Sequence, residues 1–174
     1  MREESKEDDA EDRAEVHVYS DGSGIDSSAG AATVLFRDGL EVRAIHYQLG
    51  PLTQHMTYEA EVIGVLLVLE LLRQERRVHT ASIKLDNQVV IQALGVCSAK
   101  PVQSLLNMVH DACEEWTAGD RRGRRRLGIS WISGHDGVKG NERADEEARK
   151  AVSDGSSLRE DLRTSYKRGC CPIA

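Results

Sequence analysis

The sequence predicts one α/β domain: a mixed five-stranded sheet with helices on both faces. Three observations predict it. Two alternating runs flank an Asp-Gly turn early in the chain, the signature of an antiparallel hairpin. A long, nearly continuous apolar helical segment follows, as a helix buried against a sheet requires. The two later strands are separated by helices, which implies parallel crossovers.

The elements follow in the order βββαβααβα. Val16–Ser20 alternates as a first strand, and Asp21-Gly22-Ser23-Gly24 is expected to break it. Gly30–Phe36 is an apolar second strand, Arg37-Asp38-Gly39 a turn, and Leu40–Leu49 an alternating third strand. Thr53 to about Arg73 is the longest helix, apolar from Val62 to Leu72. Val78–Leu85 is a fourth strand, and Asn87–Leu94 a short helix ended by Gly95. Pro101–Trp116 is a helix with proline at its start and apolar residues at helical spacing. Leu127–Ser133 alternates as a fifth strand, and Asn141–Val152 is a last helix entered after Gly140. The domain therefore spans 16–153, between an acidic, disordered arm (1–15) and a loosely ordered tail (154–174).

Composition bounds the function. At 174 residues and 40% apolar content, the chain can build one proper core, and aliphatic residues must fill it because aromatics are only 4%. No run reaches the ~20 apolar residues of a membrane span. The acidic start, MREESKEDDAEDRAE, excludes a secretory signal. The cysteines (Cys97, Cys113, Cys170, Cys171) lack zinc spacing and read as reduced thiols. An intracellular protein of nucleus or cytoplasm is expected, with no membrane partner. The net charge of −6 is segregated: residues 1–15 hold eight acids and three bases, or −5, leaving −1 for the rest. That remainder includes the basic run Arg121-Arg122-Gly123-Arg124-Arg125-Arg126. A negative total thus does not exclude a polyanionic substrate.

The acids that matter end secondary elements. Asp21 is expected to close the first strand and Asp86 the fourth, and functional groups of α/β sheets gather at the carboxyl ends of strands. Glu61 lies at the head of the buried helix, where an unpaired carboxylate is costly. Glu59 competes with it, but residues two apart on a helix face nearly opposite ways. Asp145 sits early in the last helix. Four clustered carboxylates are tolerable if hard divalent cations share them, and two such ions form a phosphodiester-cleaving clamp.

Together these segments resemble the ribonuclease H family. Tyr19-Ser20-Asp21-Gly22-Ser23 resembles its first-strand motif, and Glu61-Val62-Ile63-Gly64-Val65 its catalytic helix, which selects Glu61 over Glu59. Leu85-Asp86-Asn87-Gln88 resembles the fourth-strand motif. Trp131-Ile132-Ser133-Gly134-His135 followed by Asn141-Glu142-Arg143-Ala144-Asp145 resembles the C-terminal signature. The resemblance runs from Val16 to Val152 and is strongest to the ribonuclease H domains of fungal retroelement reverse transcriptases. It implies strand order 3-2-1-4-5, with strand 2 antiparallel. It also implies endonucleolytic hydrolysis of the RNA strand of RNA–DNA hybrids, leaving 5′-phosphate and 3′-hydroxyl ends. Asp21, Glu61, Asp86 and Asp145 would hold two Mg²⁺ (or Mn²⁺) ions, and His135 would assist proton transfer or product release. Ser23, Asn87 and Asn141 would contact nucleic acid, and Arg121, Arg122, Arg124, Arg125 and Arg126 could grip phosphates. The protein would be a monomer or part of a larger reverse transcriptase. The alternatives are a non-catalytic hybrid-binding module and a DNA-directed nuclease of the same fold.

Three departures from the family pattern accompany the match. Thr57, Tyr58, Glu59 and Ala60 occupy places where many relatives carry an Asn or Gln that contacts RNA 2′-hydroxyls. The glycine-rich stretch after Asp21 is short. The chain from Asn87 to Trp116 is too short for the extra basic helix of bacterial members.

Overall fold

A computed structural model describes residues 12–95, 103–120, 122–134 and 137–157. Most of the acidic arm (1–11), the predicted helix start at Pro101, Arg121, His135 and the tail from 158 lie outside the described residues. The elements are β1 (Val16–Ile25), β2 (Ser28–Arg37), β3 (Leu40–Pro51), α1 (Thr57–Gln74), β4 (Thr80–Leu85), α2 (Gln88–Leu94), α3 (Gln103–Ala118), β5 (Arg126–Trp131) and α4 (Lys139–Asp154). The sheet order is β3-β2-β1-β4-β5, as expected. β2 runs antiparallel to both its neighbours, and β4 runs parallel to β1 and β5.

Both early turns are two-residue hairpins. Asp26 and Ser27 have φ of 48° and 65°, and Asp38 and Gly39 have φ of 52° and 73°. Paired positive φ values match the right-handed twist of the flanking strands. The first hairpin overturns one expectation. Asp21-Gly22-Ser23-Gly24 does not break β1, which continues to Ile25. Gly22 and Gly24 instead let α1 and Leu52 ahead of it come close to the strand.

Alternation along the strands splits the interior in two. Val16, Val18, Leu35 and Ile45 join α1, α2 and α3 in one core. Tyr19, Val34 and Phe36 join Ala144 of α4 and Ile132 in the other. The near-continuous apolar sequence of α1 follows from its place between layers. Residues 59–72 are all buried, with the sheet on one side and α3 on the other. Trp116 of α3 locks that packing by donating its indole N–H to the Leu72 carbonyl (3.1 Å). No helix among the described residues is long and apolar enough to cross a membrane.

Described residues ahead of β1 also meet the body of the domain. Asp12 reaches the buried Lys84 of β4 (2.7 Å), and Glu15 accepts from the His79 backbone N–H (2.7 Å). A lysine buried in a sheet needs such partners, since an uncompensated charge there is strongly unfavourable. At the other end, residues past α4 also touch the sheet: Ser156 and Ser157 hydroxyls accept from Gln48 and His46 backbone N–H groups of edge strand β3.

Candidate active site

The site forms where β1 outruns its parallel neighbour. β1 pairs with β4 only as far as Ser20↔Leu85. Beyond that point β1 continues against β2 alone, leaving a notch at the carboxyl end of β4. Asp21 is thus mid-strand in the chain yet lies at the end of the parallel pair, where α/β sheets place their chemistry. Asp86 follows the last residue of β4, and Glu61 comes from the first turns of α1. One carboxylate oxygen from each of Asp21, Glu61 and Asp86 lies within 4.8 Å of the others.

Glycine makes the approach of α1 possible. A Cβ on Gly22 would stand 2.5 Å from the Glu61 backbone nitrogen and 2.8 Å from the Ala60 carbonyl carbon. Both blocking atoms are main chain and cannot rotate away. Gly22→Ala is therefore expected to destabilise the protein by about 1–3 kcal/mol, the usual cost of overpacking. Thermal unfolding checks it; a variant within about 0.5 kcal/mol of the parent, as at an ordinary surface position, would show that the contact is not tight.

Asparagines hold two of the three carboxylates, Glu61 and Asp86. Asn87 caps α2, its side-chain oxygen accepting from the backbone N–H groups of Val89 and Val90. Its Nδ2 donates to Glu61 Oε1 (3.3 Å). Asn141 of α4 donates from Nδ2 to Asp86 Oδ2 (3.2 Å). Its own Oδ1 is buried with no hydrogen-bond partner among the described residues. Trp131 donates its indole N–H to the Asp86 carbonyl (3.0 Å), and the Ile132 N–H donates to Leu85 (2.9 Å), fixing the backbone around Asp86. Gly134 leaves room for this carboxylate: a Cβ there would lie 2.7 Å from Asp86 Oδ2.

The electrostatics are those of crowded acids. Burial, then the charges of Asp86 and Asp145, push Asp21 up to about 7. Burial, then Asp21 and Asp86, push Glu61 up to about 8. Asp145 stands outside the close group of three, though its charge acts on Asp21. It is paired with Arg149 through two contacts, Nε to Oδ1 (3.0 Å) and Nη2 to Oδ2 (2.8 Å). An all-oxygen, mutually repelling donor set fits a hard divalent cation. Asp21, Glu61 and Asp86 are the residues that could hold one.

The RNase H family profile matches residues 13–153. The chain belongs to the RNase H family. Solved structures share the fold at low identity. The N-terminal RNase H domain of Rv2228c from Mycobacterium tuberculosis is 16% identical, with a TM-score of 0.63, 82% of this chain and 96% of that one covered. RNase H1 of the archaeon Halobacterium salinarum is 22% identical, with a TM-score of 0.60 and 80% and 98% covered. The protease–reverse transcriptase of prototype foamy virus is 19% identical, with a TM-score of 0.60; 84% of this chain matches 21% of that one.

Within this RNase H domain, the structure brings Asp21, Glu61 and Asp86 together, sets Asp145 beside them on its arginine, and turns Glu59 away. Glu59 accepts from His55 Nδ1 (3.2 Å) and from the Met56 backbone N–H (3.2 Å), closing the start of α1. Ser23 and Asn141, expected to meet nucleic acid, are buried, and Asn87 is committed to Glu61 and the α2 cap. The arginine run is not beside the carboxylates. Arg126 pairs with Thr80 at the amino ends of β5 and β4. Asp86 is six residues further along, about 20 Å away at strand rise. Arg125 is a packing residue: its guanidinium sits 4.9 Å from the Trp116 ring centre and donates to the Trp116 carbonyl (2.8 Å).

Sequence reasoning missed two supports. Arg149 stands four residues after Asp145, a spacing that pairs side chains on a helix and is readable from the sequence. The indole N–H of Trp131 has no such signal, because its acceptor is 45 residues away.

Proposed function

We propose that this chain hydrolyses the RNA strand of RNA–DNA hybrids, as a free-standing enzyme or as a domain of a larger reverse transcriptase. The observation that carries the reading is the meeting of Asp21, Glu61 and Asp86 from three elements at the notch of an RNase H sheet. Asp21, Glu61 and Asp86 would hold divalent cations, two Mg²⁺ or Mn²⁺ ions, with Asp145 as the fourth carboxylate. When bound, such ions lower the pKa of an attacking water and neutralise charge on the scissile phosphate. The chain's own residues do the rest. Asn87 and Asn141 orient Glu61 and Asp86, and Arg149 steadies Asp145 until it is needed. His135 is assigned proton transfer or product release on the strength of the sequence motif.

A solved RNase H1 from compost was crystallised with an RNA/DNA hybrid, and this chain shares its fold at 16% identity and a TM-score of 0.60. Selectivity for hybrid would rest on duplex shape and 2′-hydroxyl contacts rather than base sequence. Glu59 is engaged in closing α1, so 2′-hydroxyl recognition falls to other groups around the notch.

The test uses end-labelled RNA–DNA hybrid, duplex DNA and duplex RNA with Mg²⁺. Only the hybrid should be cut, in its RNA strand, with 5′-phosphate ends. Cleavage of duplex DNA would place the chain among DNA-directed nucleases, and hybrid binding without cleavage would make it a binding module.

A further inference from the structure

The end of the sheet opposite the carboxylates carries a concentration of positive charge that the active site does not use. Two loops meet there. One joins α1 to β4 and bears Arg76, Arg77 and His79; the other joins α3 to β5 and bears Arg122 and Arg124, with Arg126 opening β5. They are tied together by the Arg126 N–H donating to the His79 carbonyl (2.7 Å). Arg76, Arg77, Arg122, Arg124 and Arg126 are all exposed.

The acids nearby are already engaged. Asp120 accepts from the Arg122 and Arg124 backbone N–H groups and stands 3.7 Å from the Arg124 guanidinium. Glu15 pairs with His79, Asp12 with Lys84 and Glu75 with Arg37. No carboxylate among the described residues lies within ion-pair distance of Arg76, Arg77, Arg122 or Arg126. So much unmatched charge is unusual in a body whose net charge is near zero.

The first of these loops turns tightly. Arg77 holds φ of 61°. That left-handed region favours glycine, and another residue there costs of order 1 kcal/mol or more. Between this end and the carboxylates runs β5, the last strand in the sheet order, which contains no acid: Arg126, Leu127, Gly128, Ile129, Ser130 and Trp131. Asp12, which lines a cleft with Arg126, Gly128, Ile129 and Ser130, is paired with Lys84.

We propose that Arg76, Arg77, Arg122, Arg124 and Arg126 form a second, sequence-independent contact for the phosphodiester backbone of the hybrid. A duplex laid along β5 meets the carboxylates at one end of the strand and these arginines at the other. The inference rests on the functional reading above for the identity of the duplex. It predicts a length threshold. The two ends are about 20 Å apart at strand rise. An 8-base-pair duplex centred on the carboxylates reaches only about 14 Å to either side, whereas 30 base pairs extend well past the arginines.

The experiment compares the parent chain with the combined variant Arg76→Gln, Arg77→Gln, Arg122→Gln, Arg126→Gln. Fluorescence anisotropy, with Asp86→Asn added to both chains so that Mg²⁺ can be present at a fixed concentration while cleavage is slow, measures binding of 8- and 30-base-pair hybrids over a range of NaCl concentrations. All four positions are exposed, and circular dichroism and the melting temperature confirm that the variant folds. For the long hybrid, the slope of log K against log salt should become shallower by about two to three, near 0.9 for each phosphate that is no longer neutralised. The slope for the short hybrid should stay unchanged. An unchanged slope for the long hybrid overturns the proposal. So does an equal change at both lengths, which is the mark of net charge alone. Cleavage by the parent chain is scored separately: a chain that cuts no hybrid yet shows the length-dependent slope change keeps the arginine contact and loses the active-site reading.

Discussion

Asp86→Asn should lower the rate of hybrid cleavage by about 10³-fold or more while leaving hybrid binding intact. The expectation follows from where Asp86 stands. It is one of the three acids whose oxygens converge, and its charge raises both Asp21 and Glu61. A cation held by such a group contributes several kcal/mol to transition-state stabilisation, and each 1.4 kcal/mol is a factor of ten. Losing one of three charged donors therefore removes rate rather than affinity. Asparagine is nearly isosteric, and its amide oxygen can still accept from Asn141, so the fold is kept. Removing a negative charge beside a phosphate should if anything tighten binding. Single-turnover cleavage and anisotropy on the same preparation separate the two effects. A variant that cuts within tenfold of the parent would exclude Asp86 from the metal-binding set, and with it the assignment of this notch as the active site.

How much of this is legible in the sequence differs between the fold and the site. The hairpins, the antiparallel β2 and the buried α1 come from patterns that act locally: alternation, an Asp-Gly turn, a continuous apolar run. What local pattern does not show is where one strand stops relative to its neighbour. Asp21-Gly22-Ser23-Gly24 looks like a strand end because glycine is a breaker, yet β1 continues because Gly22 is there to admit the α1 backbone. The notch is set by the register of β1 against β4, a property of two segments far apart in the chain. The arginine run shows the opposite failure. Its charge is plain, but its distance from the carboxylates depends on which end of β5 it adjoins. Arg125 is taken up by Trp116, a pairing no spacing rule predicts. Ser23, Asn87 and Asn141 stand close to the acids, as their motifs suggest. Burial and bonding, however, turn Asn87 and Asn141 into supports for the carboxylates, and Ser23 is closed off within the sheet.

Without metal, the protein should become less stable as pH rises from 5 to 9, and divalent cations should reverse the loss. Asp21 and Glu61 have ordinary values of 3.8 and 4.5, which describe the unfolded chain, and folded values of about 7 and about 8. Folding thus favours their protonated forms. Their contribution is fully present below about pH 4 and is lost as pH rises toward 7 and 8, where the folded groups finally ionise. For so tightly coupled a cluster the loss is on the order of a few kcal/mol. Asp12 and Glu147 carry the opposite sign: burial pushes each up, but hydrogen-bonded cationic partners outweigh it and hold each down at about 2. Their contribution fades only below about pH 4, outside the window of pH 5 to 9. Asp21→Asn should flatten the profile, because it removes one raised group and relieves the other. Cation binding at pH 8 should raise the melting temperature, by about 2.7 kcal/mol of stability at a hundredfold excess over Kd, and should release protons. Differential scanning calorimetry in EDTA and in Mg²⁺ or Mn²⁺, with proton release read from buffers of different ionisation enthalpy, tests all of this. If the metal-free melting temperature climbs between pH 5 and 9, burial does not hold Asp21 and Glu61 protonated as described; if neither cation raises it at pH 8, the three acids do not form a metal site.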